Sequence, residues 1–101
     1  MINHDGRVMD LGCGNGLMLK HLITRSRYSL IPFGVDFIEE SIRQARRIVL
    51  PEYADNFIVG NIADIDLGSE TYDFIFFDPY ALHPDDLDQM IRKLLRACRL
   101  G

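Results

Sequence analysis

V-M-D-L-G-C-G-N-G, from Val8 to Gly16, decides how this chain folds. An apolar run ends in three glycines within five positions, Gly12, Gly14 and Gly16. Glycine weakens strands and helices alike, so its repetition here needs a reason. A buried strand that turns sharply into a helix supplies one. Glycine takes the backbone angles of such a bend and lets a ligand come close to the main chain. The N–H groups that open a helix have no partner inside it and offer donors to a polar or anionic group.

Outward from this stretch the chain alternates between strand and helix patterns. R-V-M-D-L, 7–11, reads as a short buried strand, and 15–25 as a helix with Leu19, Leu22 and Ile23 on one face. L-I-P-F-G-V-D, 30–36, reads as a second strand, with Pro32 weakening its first half because proline cannot donate to a ladder. Ile38, Ile42, Ala45 and Val49 recur at helical spacing over 38–50, and Pro51 stops that helix. N-F-I-V-G, 56–60, and Y-D-F-I-F-F-D, 72–78, read as two more strands. The consecutive apolar residues of the latter ask for cover on both faces, as in a parallel sheet. Pro84 to Arg99 reads as a helix with an unbroken apolar stripe of Leu87, Met90, Ile91, Leu94, Leu95 and Cys98. Its Arg92, Lys93, Arg96 and Arg99 read as a solvated face. This order predicts an α/β fold with a parallel sheet and helices on its faces.

The 101 residues suffice for one small domain. A net charge of −4 gives no bulk basic field, so nucleic acid is not indicated as a partner. No apolar run approaches a membrane span, and the start lacks a secretory signal, so the expected location is cytoplasmic. Cys13 and Cys98 lie far apart without a C-x-x-C, which reads as two reduced thiols and no metal site.

Spacing discriminates between ligands for the glycine bend. A dinucleotide fingerprint wants G-x-G-x-x-G, but the position of the third glycine holds Leu17. The chain has D-L-G-C-G-N-G, with Asp10 ahead of it. That pattern resembles the first motif of class I methyltransferases, which bind S-adenosylmethionine. Three further landmarks resemble the same family. Asp36 closes the second strand, where the resemblance implies a carboxylate that accepts from both ribose hydroxyls; it reads equally as a helix-capping aspartate ahead of Ile38. Phe37 reads as an adenine-facing ring or a packing residue. V-G-N-I, 59–62, matches the third landmark, where the family has an acidic residue that accepts from the adenine amino group. Here Asn61 stands at that position, followed by Ile62; its side-chain oxygen can accept but brings no charge, and Asp64 is a substitute or a turn residue.

The fourth landmark, Asp78-Pro79-Tyr80, resembles the D/N-P-P-Y/F strand end of methyltransferases that act on amino or amide nitrogen. It has one proline in place of two, which moves Tyr80 forward by one place, and it reads also as an ordinary turn. His83 reads as a solvent-facing residue or a general base.

The resemblance implies a Rossmann-like three-layer α/β sandwich. Its family sheet is seven-stranded, ordered 3-2-1-4-5-7-6. Four strands are expected here, ordered 3-2-1-4, so residues 1–101 are expected to form a single, incomplete cofactor-binding domain that stops before the fifth strand. The implied cofactor is S-adenosylmethionine, held by Asp10, Gly12, Cys13 and Gly14, by Asp36 and Phe37, and by Asn61, Ile62 and Asp78. Asp78 and Tyr80 are the implied catalytic pair, facing an unidentified methyl acceptor. The chemistry would be an in-line displacement in which the protein chiefly aligns the reactants. An exposed edge on the fourth strand would favour self-association. Two other readings stand beside this one: a methyltransferase-like binding module without catalysis, and a dinucleotide oxidoreductase, against which Leu17 argues.

Overall fold

In the computed structural model, residues 2–69, 71–78 and 83–98 are described. Four strands form one parallel sheet: β1 (Gly6–Leu11), β2 (Leu30–Asp36), β3 (Phe57–Val59) and β4 (Phe74–Phe77). Their order is β3-β2-β1-β4, as the family resemblance implies. Among the described residues, three α-helices accompany them: α1 (Leu17–Arg25), α2 (Glu39–Gln44) and α3 (Pro84–Ala97).

β1 is the centre of the sheet. It pairs along six residues with β2 and along four with β4. Alternation along the strand sends its side chains into two cores. Val8 packs with Leu19, Ile42 and Phe57 on one face, beneath α1 and α2. Met9 and Leu11 pack with Val35, Leu67, Tyr72 and Met90 on the other, beneath α3. Burying each such side chain stabilises the fold by roughly 1.5–3 kcal/mol.

Pro32 sits within β2 without breaking it. Its carbonyl accepts from the Asn56 side-chain amide at 3.1 Å, so that side of the residue faces the region ahead of β3. β3 pairs with β2 only from Gly34 onward, so the N–H that proline lacks has no ladder to serve.

Several element ends differ from the sequence reading. α1 starts at Leu17 rather than Asn15, because Gly16 has φ 82°, outside helical geometry. The helix expected over 38–50 changes hand-hold after Gln44: Ala45–Val49 is π-helical, and Pro51 opens a 3₁₀ turn, Pro51–Asn56. β4 is only Phe74–Phe77, since β1 offers it no partner beyond Leu11. Tyr72 instead bridges to Cys98 at the end of α3. The stripe on α3 is only partly covered: Met90 is buried, while Ile91 is exposed and Leu95 is 62% exposed. Lys93 is not on a solvated face. Its ammonium donates to Ala63 O at 3.0 Å and Ile65 O at 2.6 Å, tying α3 to the loop after β3.

All four strands point the same way, so their carboxyl ends share one edge. β1 has β2 on one side and β4 on the other, which makes that edge a topological switch point, the place where open α/β sheets bind ligands. Among the described residues no helix is long and apolar enough to cross a membrane.

Candidate functional site

The glycine bend is anchored to the end of β2. Gly12 N–H and Cys13 N–H both donate to Val35 O, at 2.7 and 3.0 Å. Gly12 has φ 87° and Gly14 φ 59°, a region that other residues rarely adopt. A Cβ placed on either would meet only open space. The bend therefore needs glycine for its backbone angles, and the space before it stays free.

Asp36 closes the contact from the other side. One carboxylate oxygen accepts Gly14 N–H at 2.8 Å, and the other accepts Ile38 N–H at 2.9 Å. The second bond is a turn ahead of the helix and not its cap: α2 has Ile38 at its N-cap without a side-chain cap, so Asp36 is not the capping aspartate that the sequence also allows. Each oxygen keeps a further lone pair for another donor.

Next to this pair lies Asp10, 7% exposed. No hydrogen bond or ion pair reaches its carboxyl group among the described residues. Burial, and secondarily the charge of Asp36, pushes its pKa up to about 6. Burial also pushes the Cys13 thiol up to about 12, assisted by Asp10 and Asp36. That thiol is turned into the core, where Gly34 makes room for it: a Cβ on Gly34 would lie 2.6 Å from Cys13 Sγ and 2.7 Å from Phe57 Cδ1. Cys13 is thus set apart from the other residues named for the cofactor.

A pocket of about 490 Å³ opens at this edge, lined by Gly12, Asp36, Phe37, Ile38, Gly60, Asn61 and Ile62. Its volume lies in the usual range for small-molecule sites. Phe37 is 75% exposed on its wall, so the ring is not consumed by packing. Asn61 is placed at the pocket, but its side-chain oxygen accepts Ala63 N–H at 2.9 Å. Asp64 behaves as a turn residue, donating its N–H to Asn61 O at 3.0 Å.

Asp78 directly follows β4 at the same edge of the sheet. Tyr80 lies outside the described residues. His83 caps α3, accepting Asp85 N–H on Nδ1 at 3.1 Å, and its side chain is exposed. Among the described residues no group of three or more His, Cys, Asp or Glu is arranged to hold a metal.

Residues 8–101 match the family model described as a methyltransferase domain. The chain belongs to that family. S-adenosylmethionine is the cofactor of this methyltransferase family. Solved structures agree on the fold. A TehB-like SAM-dependent methyltransferase from Corynebacterium glutamicum superposes with a TM-score of 0.75 at 21% identity, over 97% of this chain and 52% of that one. A phosphoethanolamine N-methyltransferase from Haemonchus contortus, solved with phosphoethanolamine and S-adenosylhomocysteine, gives 0.73 at 19% identity, over 95% of this chain and 20% of that one. The cyclase SpnF gives 0.79 at 15% identity, over 99% of this chain and 37% of that one. This chain spans about half the length of the first of these and less of the others. No curated protein matches the sequence.

The residues at this edge are compatible with the family's cofactor. A carboxyl group, Asp10, with no hydrogen-bond or ion-pair partner among the described residues, a glycine bend facing open space and an exposed aromatic wall suit a cationic nucleoside. Sequence reasoning missed three contributors. Gly34 and Gly60 were visible as glycines within or after strands, a signal for close approach. Lys93 carried no signal, because its carbonyl partners belong to a loop far away in sequence.

Proposed function

We propose that this chain forms the S-adenosylmethionine-holding part of a methyltransferase whose acceptor is unidentified. One observation carries the reading: two adjacent buried carboxyl groups, Asp10 and Asp36, with no Lys, Arg or His paired to either among the described residues. Two carboxylates close together without a cationic partner, one of them on the pocket wall, attract a cation. They repel a pyrophosphate, which argues against a dinucleotide. When bound, S-adenosylmethionine supplies an electrophilic methyl group on a positively charged sulfur.

The chain's own residues then have these parts. Asp36 accepts from the ribose hydroxyls with its remaining lone pairs. Gly12 and Gly14 let the ligand lie against the main chain. Phe37 and Ile62 enclose the base. Asp10 faces the cationic end. Asp78, at the strand end next to β1, is directed to the acceptor, with Tyr80 as its companion by resemblance. A second reading is a module that holds the cofactor without transferring its methyl group. It is favoured by Asn61, which lacks the charge that the family places there.

A heat-stability screen tests the main reading. S-adenosylmethionine and S-adenosylhomocysteine at about 100-fold over their dissociation constants should each stabilise the fold by about 2.7 kcal/mol, and nicotinamide dinucleotides should leave it unchanged. Stabilisation by the dinucleotides alone would reject it. Release of S-adenosylhomocysteine on adding candidate acceptors separates enzyme from module.

The same chain is proposed to self-associate. β4 pairs with β1 on one side, and no strand lies on its other side among the described residues. Phe76 is exposed there, and an apolar unpaired edge invites another strand.

A further inference from the structure

The glycine bend is tied to the β2–α2 unit a second time, one residue beyond the bond from Gly14 to Asp36. Asn15 Nδ2 donates to Gln44 Oε1 at 3.3 Å, across 29 residues of sequence. Each side chain of this pair is oriented by a neighbour that allows only one sense. Asn15 Oδ1 accepts Leu17 N–H at 3.1 Å, and a main-chain N–H only donates, so the Asn15 NH₂ is turned to Gln44. At the other end the Glu40 carboxylate is held below its ordinary pKa, chiefly by Arg43 and in smaller part by the Gln44 amide. A carboxylate only accepts, so the Gln44 NH₂ is turned to Glu40 and its oxygen to Asn15. A polar chain of one direction thus runs from the start of α1 to the end of α2.

Neither residue lines the pocket, whereas Gly12, Phe37 and Ile38 do. Asp36 serves both the bend and the pocket, so a ligand that donates to it draws on the same carboxylate that holds Gly14. The bond from Asn15 to Gln44 lies outside that competition. The bend also rests on the segment that Gln44 leads into: a Cβ on Gly16 would lie 3.6 Å from Ala45 Cβ and 3.5 Å from Leu50 Cδ1. Directly after Gln44 the helical bonding passes from α to π, over Ala45–Val49. Such changes recur at functional positions. We infer that Asn15 and Gln44 are a positioning pair: without touching the cofactor, they hold the glycine bend against α2 and so set the gap between the bend and the wall of Phe37 and Ile38. The inference rests on the cofactor reading and adds to it two residues that act on affinity through the bend.

Titration calorimetry with S-adenosylhomocysteine tests this on variants of the whole chain, with urea unfolding to establish that each is folded at the titration temperature. Gln44→Met keeps side-chain length and helix preference but removes the acceptor. Its affinity should fall about fivefold, the worth of one neutral hydrogen bond. Gln44→Glu accepts the same bond and should return to within about twofold of wild type. Asn15→Ser keeps a hydroxyl for the turn to Leu17 but is too short to reach Gln44, and should lose about as much as Gln44→Met. The double variant Asn15→Ser/Gln44→Met should be no weaker than either single one, because both remove one bond. If Asn15→Ser does not fold, the two Gln44 variants decide the matter. Affinity of Gln44→Met within about twofold of wild type, a Gln44→Glu variant as weak as Gln44→Met, or losses that multiply in the double variant would each overturn the pair while leaving the cofactor reading intact. A folded wild type that does not bind S-adenosylhomocysteine overturns both.

Discussion

The Asp36 carboxylate accepts the Gly14 amide at 2.8 Å across 22 residues of sequence. This bond joins the end of β2 to the glycine bend after β1. It puts the two features that define the pocket within a hydrogen bond of each other, while the other Asp36 oxygen fixes the start of the next helical segment through Ile38. One side chain thus sets the relation between two loops. Charge-assisted bonds of this kind are about twice as strong as neutral ones.

Asp10 should make stability and affinity respond oppositely to pH. Its folded pKa of about 6 lies above its ordinary value of 3.8, so its ionised form is disfavoured in the fold. Stability from the neutral form is complete below about pH 4 and is lost as pH rises through 6. Affinity for the cationic cofactor should rise over the same interval. Asp10→Asn should remove both trends and stabilise the free protein at pH 7 by about 1–2 kcal/mol, after solvent screening is allowed for. Melting curves and titrations from pH 4 to 7.5, compared with the variant, check the pair of slopes; parallel slopes count against it.

Gly34→Ala should destabilise the fold by about 1–3 kcal/mol, because the new methyl group would overlap Cys13 Sγ and Phe57. Its effect should pass to the bend, since Cys13 sits between Gly12 and Gly14. Urea unfolding measures the first effect, and cofactor affinity the second. Cys13→Ala should restore part of both in the double variant.

Lys93→Met should cost about 1–2 kcal/mol, as two carbonyls lose a charged donor at a half-buried position. Affinity for S-adenosylhomocysteine should fall severalfold because the loop carrying Asn61 and Ile62 loosens. Lys93→Arg should recover some of both. Unchanged denaturation midpoints and affinities would show that the tether does not hold the loop.

Phe76→Lys should suppress self-association by placing a charge on the exposed β4 edge. Sedimentation velocity at rising concentration reads this directly. A wild-type protein that stays monomeric throughout would remove the edge from the account.

Much of this architecture is legible in the sequence. β2 appears at Leu30–Asp36, as read, because an apolar run ends there in an acidic residue and a new helical period begins. The strand order follows from the resemblance and is the observed one. Other features depend on partners that no local pattern reveals. The run F-I-F-F does not say where its ladder ends; β1 decides that. The α3 stripe shows an apolar face but not what covers it, and Leu95 is left exposed. The family resemblance brought Gly12, Asp36, Phe37, Asn61 and Ile62 to notice, and they line one pocket. The engagement of both Asn61 oxygens was not legible, since it arises from the turn that follows.

Calorimetric titration of S-adenosylhomocysteine into the wild-type protein and into Asp36→Ala tests the central claim most directly. The account predicts binding to the wild type and a loss of about 1.5–3 kcal/mol in the variant, the worth of hydrogen bonds to a charged acceptor. Equal affinity in the two proteins would contradict it.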